Sequence, residues 1–285
     1  MPEAADPASV TAREAQAFAR VTLARHPDRP RALRLIELLF SDWTELHGDR
    51  LFADDRAVVG GPARLGNRWV MVIGQEKGTD ARTRVIHNFG MPHPEGYRKA
   101  KRLMLLAQKF GLPLICLVDT PAAHAGVEAE ERGQAWAIAD SMLTMFGLKV
   151  PTISVIVSEG GSGGALALAV ADSVLALENA IYTVAPPETC AAILYRDANQ
   201  KARAALSLRP EVATARALGV VDELVPEPSP GAHAHPLVVA AALKGALVRH
   251  LCDLEAQPRD LLLEARWERY EDPAPGSIPP GSPSA

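Results

Sequence analysis

The sequence has few cysteines, almost no excess of either charge and no long hydrophobic run. Its three cysteines, Cys116, Cys190 and Cys252, are widely spaced, which excludes a disulfide framework and a CxxC-type zinc site. Lys and Arg number 30 and Asp and Glu 34, so the net charge of −4 gives no global attraction for nucleic acid. No apolar run approaches the roughly 18 residues that span a bilayer, and Pro2 and Pro7 interrupt any secretory signal. We therefore expect a cytoplasmic protein that binds neither membrane nor nucleic acid.

Apolar residues make up 48% of the 285 residues and charged residues 22%, a composition typical of a folded protein with a substantial core. The chain alternates strand-like and helix-like segments, with no obvious linker before Pro226. We predict four regions: a partly loose N-terminal extension over 1–20, with the first ten residues or so loose, a catalytic domain over 21–225, a helical region over 226–271 and a disordered Pro/Gly/Ser-rich tail over 272–285.

Hydrophobic spacing, Gly and Pro predict a mixed α/β fold. The predicted elements are a helix over Arg31–Phe40 with a possible continuation through Trp43 and Leu46 to Gly48, a hairpin of Ala57–Arg64 and Trp69–Gln75, a helix from Pro94 to Phe110 capped by Gly111, a buried strand Leu114–Val118, a helix Ala129–Phe146, a buried strand Thr152–Val157, a helix over Ala165–Ala171, and short strands at Val174–Leu177 and Ile181–Val184. Twice a buried strand ends in a special turn that starts a helix. Such β-β-α units stack into a spiral whose strand ends collect on one side.

The glycine-rich segment Ser158–Ala165 lies between a predicted strand and a predicted helix. Gly160, Gly161, Gly163 and Gly164 let a ligand approach bare main chain, and the first N–H groups of a helix lack intrahelical partners. The segment, including Ser162, therefore predicts a site for an oxygen that is or becomes negative. The alternative is a tight turn that only allows close packing of helix and strand.

Of the known glycine motifs, the segment satisfies only one. It lacks the Gly-Lys-Ser/Thr of a P-loop and the dinucleotide fingerprint, but Gly160-x-Ser162-x-Gly164 fits a nucleophile elbow. A serine hydrolase using Ser162 is therefore an alternative function. Its acid and base would come from Asp172, Asp197 or Asp222 and from His233, His235 or His250.

A second turn, Asp119–Gly126, follows the strand Leu114–Val118 and would lie at the same edge. Its Ala122, His124 and Gly126 are candidate substrate-binding positions, although Asp119 can simply cap the turn and His124 can be an ordinary surface residue. Lys77, near Arg82 and Arg84, could hold a phosphorylated carrier such as coenzyme A or belong to a solvated face. No histidine has metal-ligand spacing, so we expect no metal on this chain.

Taken in order, several long motifs resemble the α subunit of the bacterial acetyl-CoA carboxylase carboxyltransferase. The resemblance covers about residues 20–270, and its motifs are Arg25–Pro30, Gly48–Arg50, Asn88–Pro92, Pro94–Ala100, Asp119–Pro121, Ala129–Gln134, Glu159–Leu166 and Gly231–His233.

The resemblance implies a crotonase-like spiral of β-β-α units and a biotin-dependent reaction. In that family the carboxyl group of carboxybiotin, carried on the biotin carboxyl carrier protein and formed by biotin carboxylase, moves to acetyl-CoA to give malonyl-CoA. By resemblance, main-chain N–H groups at Gly163 and Gly164 hold biotin. A zinc-bearing β subunit contributes most coenzyme A contacts, within an α2β2 assembly.

This chain departs from the family pattern around the second turn. Ala122, His124 and Ala125 stand where the family usually has Gly, Tyr and Pro, and Glu128 replaces a Gly. The departures suggest a divergent copy that serves a dedicated pathway or uses a different acyl-CoA, and Ala122 would be strained if its φ were positive. A degenerate, non-catalytic partner subunit is a further alternative.

Overall fold

The computed structural model describes residues 7–271. The strands of this part of the chain are β1 (Val58–Leu65), β2 (Arg68–Gln75), β3 (Leu114–Thr120), β4 (Thr152–Gly161), β5 (Ser173–Leu177), β6 (Ile181–Thr183) and β7 (Glu223–Val225). The α-helices are α1 (Pro7–Ala24), α2 (Ala32–Leu39), α3 (Ala81–Ile86), α4 (Pro94–Phe110), α5 (Val127–Glu131), α6 (Gln134–Gly147), α7 (Ser162–Ala169), α8 (Pro187–Tyr195), α9 (Lys201–Leu208), α10 (Val212–Ala217), α11 (Pro236–Glu255) and α12 (Arg259–Glu271).

One sheet organises the molecule, in the order β1-β2-β3-β4-β5-β7. The hairpin β1–β2 is antiparallel and the other pairs are parallel. Every residue of β3, β4 and β5 is buried, as expected for parallel strands covered on both faces. The last residues of β4, Glu159–Gly161, leave β5 and pair with β6 instead. The predicted α/β class and the hairpin are confirmed.

The strand-to-helix junction after β4 differs from the prediction. Ser158–Gly161 belong to β4, whereas the strand was expected to end at Val157, and α7 begins at Ser162. Pairing with β6 extends the strand, because Gly160 and Gly161 lie opposite Tyr182 and Thr183.

Two helix predictions are wrong in their extent. The helix α2 ends at Leu39 and does not continue to Gly48, because Thr44 and Leu46 donate backbone hydrogen bonds to Pro62 O and Gly60 O beside β1. The predicted helix Ala129–Phe146 is interrupted at Gly133, whose φ of +80° is a left-handed conformation, and is divided into α5 and α6.

The ends of the chain also refine the prediction. Residues 7–10 are helical rather than loose, because α1 begins at Pro7, and α1 runs across the predicted boundary at residue 20. Residues 1–6 and the predicted disordered tail 272–285 lie outside the described residues. The division into 1–20, 21–225 and 226–271 stays a prediction. Among the helices of residues 7–271, none combines the length and apolarity that a bilayer crossing requires.

Two buried arginines tie distant parts of the chain to the sheet. Arg29 forms a two-pronged ion pair with Glu227, at 2.8 Å for both contacts, and both side chains are fully buried. Arg266, on α12, pairs with Asp172 and donates to the main-chain oxygens of Met145, Phe146, Leu148 and Val150. Both arginines therefore hold elements that are remote in sequence.

Candidate active site

The carboxyl ends of β3 and β4 meet at one edge of the sheet, where Thr120 lies opposite Gly160. A Cβ atom at Gly161 would lie 1.9 Å from Pro121 O, and one at Gly164 would lie 2.6 Å from Ala123 N. Only glycine allows these two backbones to approach so closely. The predicted Gly-rich segment and the predicted second turn are therefore in direct contact.

The first turn of α7 forms the centre of the candidate site. Ser162 has a φ of +56° and starts the helix, so that Gly163 and Gly164 follow within the first turn. Their N–H groups have no carbonyl one turn earlier in the helix. Within residues 7–271, no turn or loop backbone hydrogen bond involves either of them. Gly163 is partly exposed, whereas Gly164 is buried.

Gly163 and Ser162 open into a cavity of about 580 Å³. Its wall is mainly apolar, with one guanidinium. The other lining residues are Leu166, Tyr182, Thr183, Val184, Leu208, Arg209, Thr214, Ala215, Leu218 and Val220. A mostly apolar pocket with a few main-chain donors is the usual form of a small-molecule site. Of the site residues predicted from the sequence, Ser162 and Gly163 line this cavity.

Gln75 and Tyr97 lie against the start of α7, where the two turns meet. Neither of them was identified from the sequence as a site residue. Gln75 donates through Nε2 to Gly164 O at 2.8 Å and accepts from Asp119 N at 3.2 Å, so one side chain joins both turns. Tyr97 is fully buried, and its hydroxyl would lie 2.9 Å from a Cβ at Gly164. Burial raises the pKa of Tyr97 well above its ordinary value.

Lys77 lies in a buried ionic cluster rather than in the apolar cavity. Its Nζ contacts Asp119 at 2.7 Å and Glu159 at 2.5 Å, and Arg25 binds the other oxygen of Glu159 at 2.6 Å. Burial alone would raise the pKa of Glu159, but the charges of Lys77 and Arg25 outweigh burial and lower it to about 2. The cluster borders a separate cleft of about 150 Å³ that Arg84 and Phe89 also line. The role of Lys77 toward a substrate stays a prediction.

The depressed pKa of Glu159 makes part of the stability dependent on pH. Because the folded value of about 2 lies below the usual 4.5, this stabilisation is present above pH 4.5 and is lost as the pH falls toward 2. In the variant Lys77→Met the pKa of Glu159 should rise toward 4.5, so the variant should lose less stability than the wild type as the pH falls below 4.5. Urea unfolding of wild type and variant between pH 3 and pH 7 measures this difference. Parallel pH profiles for the two proteins would contradict it.

His124, in the second turn, lies within hydrogen-bond distance of two side chains, Glu128 and Asn88. His124 Nε2 lies 2.7 Å from Glu128 Oε1, and His124 Nδ1 lies 3.0 Å from Asn88 Nδ2. Ala122 is not among the residues with positive φ, so its extra methyl group brings no left-handed strain there. Gly126 packs against His124 and Glu128. His124 and Gly126 therefore lie in one small cluster, and their role toward a substrate stays a prediction.

The structure does not assemble a catalytic triad around Ser162. His250 binds Ser173 and Glu223, His235 faces Ser229 O, and His233 stacks on His26 with ring centroids 3.9 Å apart. The carboxylates of Asp172 and Asp222 are paired with Arg266 and Arg269, and Asp197 caps the turn at Asn199. Among the described residues, no hydrogen bond joins Ser162 to one of these histidines.

Solved structures of other proteins share the fold, including the transcarboxylase 12S core (TM-score 0.63, 21% identity, covering 79% of this chain and 41% of that one). The β subunit of Pseudomonas aeruginosa geranyl-CoA carboxylase gives a TM-score of 0.63 at 19% identity, covering 82% of this chain and 44% of that one. A Pseudomonas malonate decarboxylase hetero-tetramer gives 0.61 at 18% identity, over 74% and 84%. The fold is therefore the crotonase-like α/β fold of the carboxyltransferases, as predicted.

The family described as acetyl co-enzyme A carboxylase carboxyltransferase-like matches residues 5–273. The acetyl-coenzyme A carboxylase carboxyl transferase subunit alpha of Hydrogenovibrio crunogenus is 51% identical over 248 residues, 87% of this chain and 78% of that protein. The same subunit of Thermus thermophilus is 53% identical over 251 residues, 88% of this chain and 80% of that protein. The chain belongs to this family, and the predicted resemblance is confirmed.

Proposed function

We propose that the chain is the α subunit of a biotin-dependent acetyl-CoA carboxylase carboxyltransferase in the cytoplasm. It would transfer the carboxyl group from carboxybiotin on a carrier protein to acetyl-CoA, and the product would be malonyl-CoA. Its partners would be a zinc-bearing β subunit, in an α2β2 assembly, together with the biotin carboxyl carrier protein and biotin carboxylase. The family membership and the site geometry support this proposal.

The observation that carries the proposal is the start of α7, which presents Gly163 to the 580 Å³ cavity. Biotin is a mostly apolar ring system with one polar ureido group, and an apolar cavity with main-chain donors at one end fits such a group. When bound, biotin supplies a carboxyl group on a ureido nitrogen and an oxygen that accepts negative charge as this group leaves. The residues around the cavity therefore match the chemistry that the reaction needs.

In this proposal the chain's own residues orient the bound group and stabilise its negative charge, rather than react with it. The N–H of Gly163, strengthened by the dipole of α7, donates toward an oxygen that gains negative charge. Gln75 holds Gly164 O and so fixes the direction of the first turn. Glu159 and Lys77 are bound to each other, so this carboxylate is held ionised and committed to its ion pairs. The site resembles an oxyanion hole more than an acid–base pair.

The test is reconstitution with a β subunit from a family member. We expect malonyl-CoA formation from carboxybiotin and acetyl-CoA, with little or none from the α chain alone. Propionyl-CoA and butyryl-CoA, assayed in parallel, show whether the departures at Ala122, His124 and Ala125 redirect the acyl preference. Absence of transfer to all three thioesters by a properly assembled complex would overturn the proposal and favour a non-catalytic subunit.

A fluorophosphonate probe addresses the serine hydrolase alternative. We expect no labelling of the wild-type chain and carboxyl transfer that persists in Ser162→Ala, since within residues 7–271 no hydrogen bond joins Ser162 to a histidine. Labelling that disappears in Ser162→Ala would favour the hydrolase instead.

A further inference from the structure

Three potential metal ligands meet beside the second turn: His124 and Glu128 lie one helical turn apart in the sequence, and His93 comes from an earlier segment of the chain. One ligand atom from each of His93, His124 and Glu128 lies within 4.8 Å of the other two. The two imidazole rings are in contact, with centroids 4.2 Å apart. We propose that these residues form a binding site for a divalent transition metal of the zinc type. Two imidazoles and one carboxylate, with a further position left for water, are a common donor set for Zn²⁺.

The backbones that carry the two histidines are fixed to each other without any ligand. Pro92 O accepts hydrogen bonds from His124 N at 3.0 Å and from Gln134 Nε2 at 2.8 Å. The same Gln134 amide donates to His124 O at 2.8 Å. His93 follows Pro92 directly, so these contacts fix the separation of the two backbone segments that carry the imidazoles. The ligands are held in place before a metal arrives, which lowers the entropic cost of binding.

Polar groups lie behind both imidazoles. Asp55, which is buried, accepts from His93 N at 2.7 Å, and its carboxylate lies 3.9 Å from His93 Nδ1. A carboxylate behind a histidine is the usual outer partner of a metal-bound imidazole. On the other ring, Asn88 Nδ2 faces His124 Nδ1 and also donates to Met91 O at 2.7 Å.

The hydrogen bonds of His124 also indicate which of its ring nitrogens carries the proton. Because the Asn88 amide donates to Nδ1, the proton of the neutral imidazole lies on Nε2 and is donated to Glu128. A metal bound at Nε2 takes the place of that proton, which moves to Nδ1. A half-turn of the Asn88 amide then turns its oxygen to accept the proton, with loss of the bond to Met91 O. Charge and protons balance without another reactant.

Because Gly126 has no side chain, there is room beside it for the side chains of His124 and Glu128. A Cβ at this position would lie 2.3 Å from Glu128 Oε1 and 2.5 Å from His124 Nε2. The same turn packs against Gly161 and Gly164. A bound metal would therefore join the turn to α5 and hold it against the start of α7.

The experiment uses the full chain without an affinity tag, stripped by a chelator and titrated with Co²⁺ and with Zn²⁺. We expect about one equivalent of either metal, d–d absorption bands from bound Co²⁺, and a higher melting temperature with Zn²⁺. The variants His124→Phe and Glu128→Gln should each weaken binding at least about 100-fold, since even outer partners of metal ligands contribute 10–100-fold. Circular dichroism checks that each variant is folded.

His47→Ala is the matched control. His47 lies between two carboxylates, 3.2 Å from Asp54 and 3.6 Å from Glu45, but does not belong to the three-ligand group. The variant His47→Ala should leave the affinity for Co²⁺ unchanged. Absence of saturable binding by the folded wild-type chain, or equal weakening by His47→Ala and His124→Phe, would overturn the proposal. Carboxyl transfer does not enter the measurement, so this test is independent of the proposed function.

Discussion

Replacement of Gly163 by proline should lower the rate of carboxyl transfer by the reconstituted complex about 100-fold, corresponding to a loss of about 3 kcal/mol of transition-state stabilisation. The change removes the N–H of Gly163, a residue that lines the cavity. Proline is tolerated in the first turn of a helix, where this N–H has no intrahelical partner. The measurement is kcat for malonyl-CoA formation, with circular dichroism and analytical ultracentrifugation to establish folding and assembly.

Gly163→Ala is the control for this experiment, because it keeps the N–H. A Cβ at Gly163 would meet Ile138 Cγ2 at 3.6 Å, an ordinary contact, so alanine fits without displacement of the backbone. We expect its rate to fall much less than that of the proline variant. If assembled Gly163→Pro complexes retain the wild-type rate, this N–H does not stabilise the transition state, and the assignment of the site is wrong.

The variant Arg29→Ala should lose about 3–5 kcal/mol of folding free energy, the cost of breaking a buried ion pair. Its removal leaves the Glu227 carboxylate buried without its cationic partner. Burial alone would raise the pKa of Glu227, whereas the hydrogen bonds and charge of Arg29, together with hydrogen bonds from Asn179, lower it. Urea unfolding at pH 7 measures the loss, and at lower pH the difference from wild type should shrink as Glu227 becomes protonated.

An exposed Arg–Glu ion pair on the surface serves as the control for the buried pair of Arg29 and Glu227. Arg34 and Glu37 are joined at 2.9 Å on α2, with side chains 51% and 64% exposed. Arg34→Ala should change the stability by less than about 1 kcal/mol, because water screens exposed pairs. The double variant Arg29→Met/Glu227→Met should recover part of the loss, since it leaves no unpaired charge in the core. Equal losses from Arg29→Ala and Arg34→Ala would contradict the expected effect of burial.

Local patterns in the sequence predicted the elements whose signals are short-range. The helix from Pro94 to Phe110 has proline at its start and the left-handed Gly111 at its end, and both signals are found in the structure. The hairpin with its turn at Gly66 was predicted from two β-rich runs in the same way. The breaks at Leu39 and Gly133 were missed, because the first depends on hydrogen bonds to β1 and the second on a glycine inside an otherwise helical pattern.

The candidate site was predicted at the level of its segments but not of its contacts. The glycine-rich segment indicated main-chain donors at a helix start, and the structure places Gly163 there, beside the cavity. No local pattern showed that Gln75 would bind Gly164 O or that His93 would contact His124, because both contacts join segments that are distant in the sequence. Lys77 shows another limit of local patterns: its neighbourhood in the sequence is cationic, whereas in the structure its ammonium group contacts the carboxylates of Asp119 and Glu159.

The contacts of Arg266 have a consequence for synthesis on the ribosome. All seven strands of the described chain precede α12, yet the Asp172 carboxylate and the carbonyls before β4 obtain their guanidinium only from that helix. Because Arg266 follows every one of these strands in the sequence, the oxygens obtain this buried donor only after α12 has been synthesised.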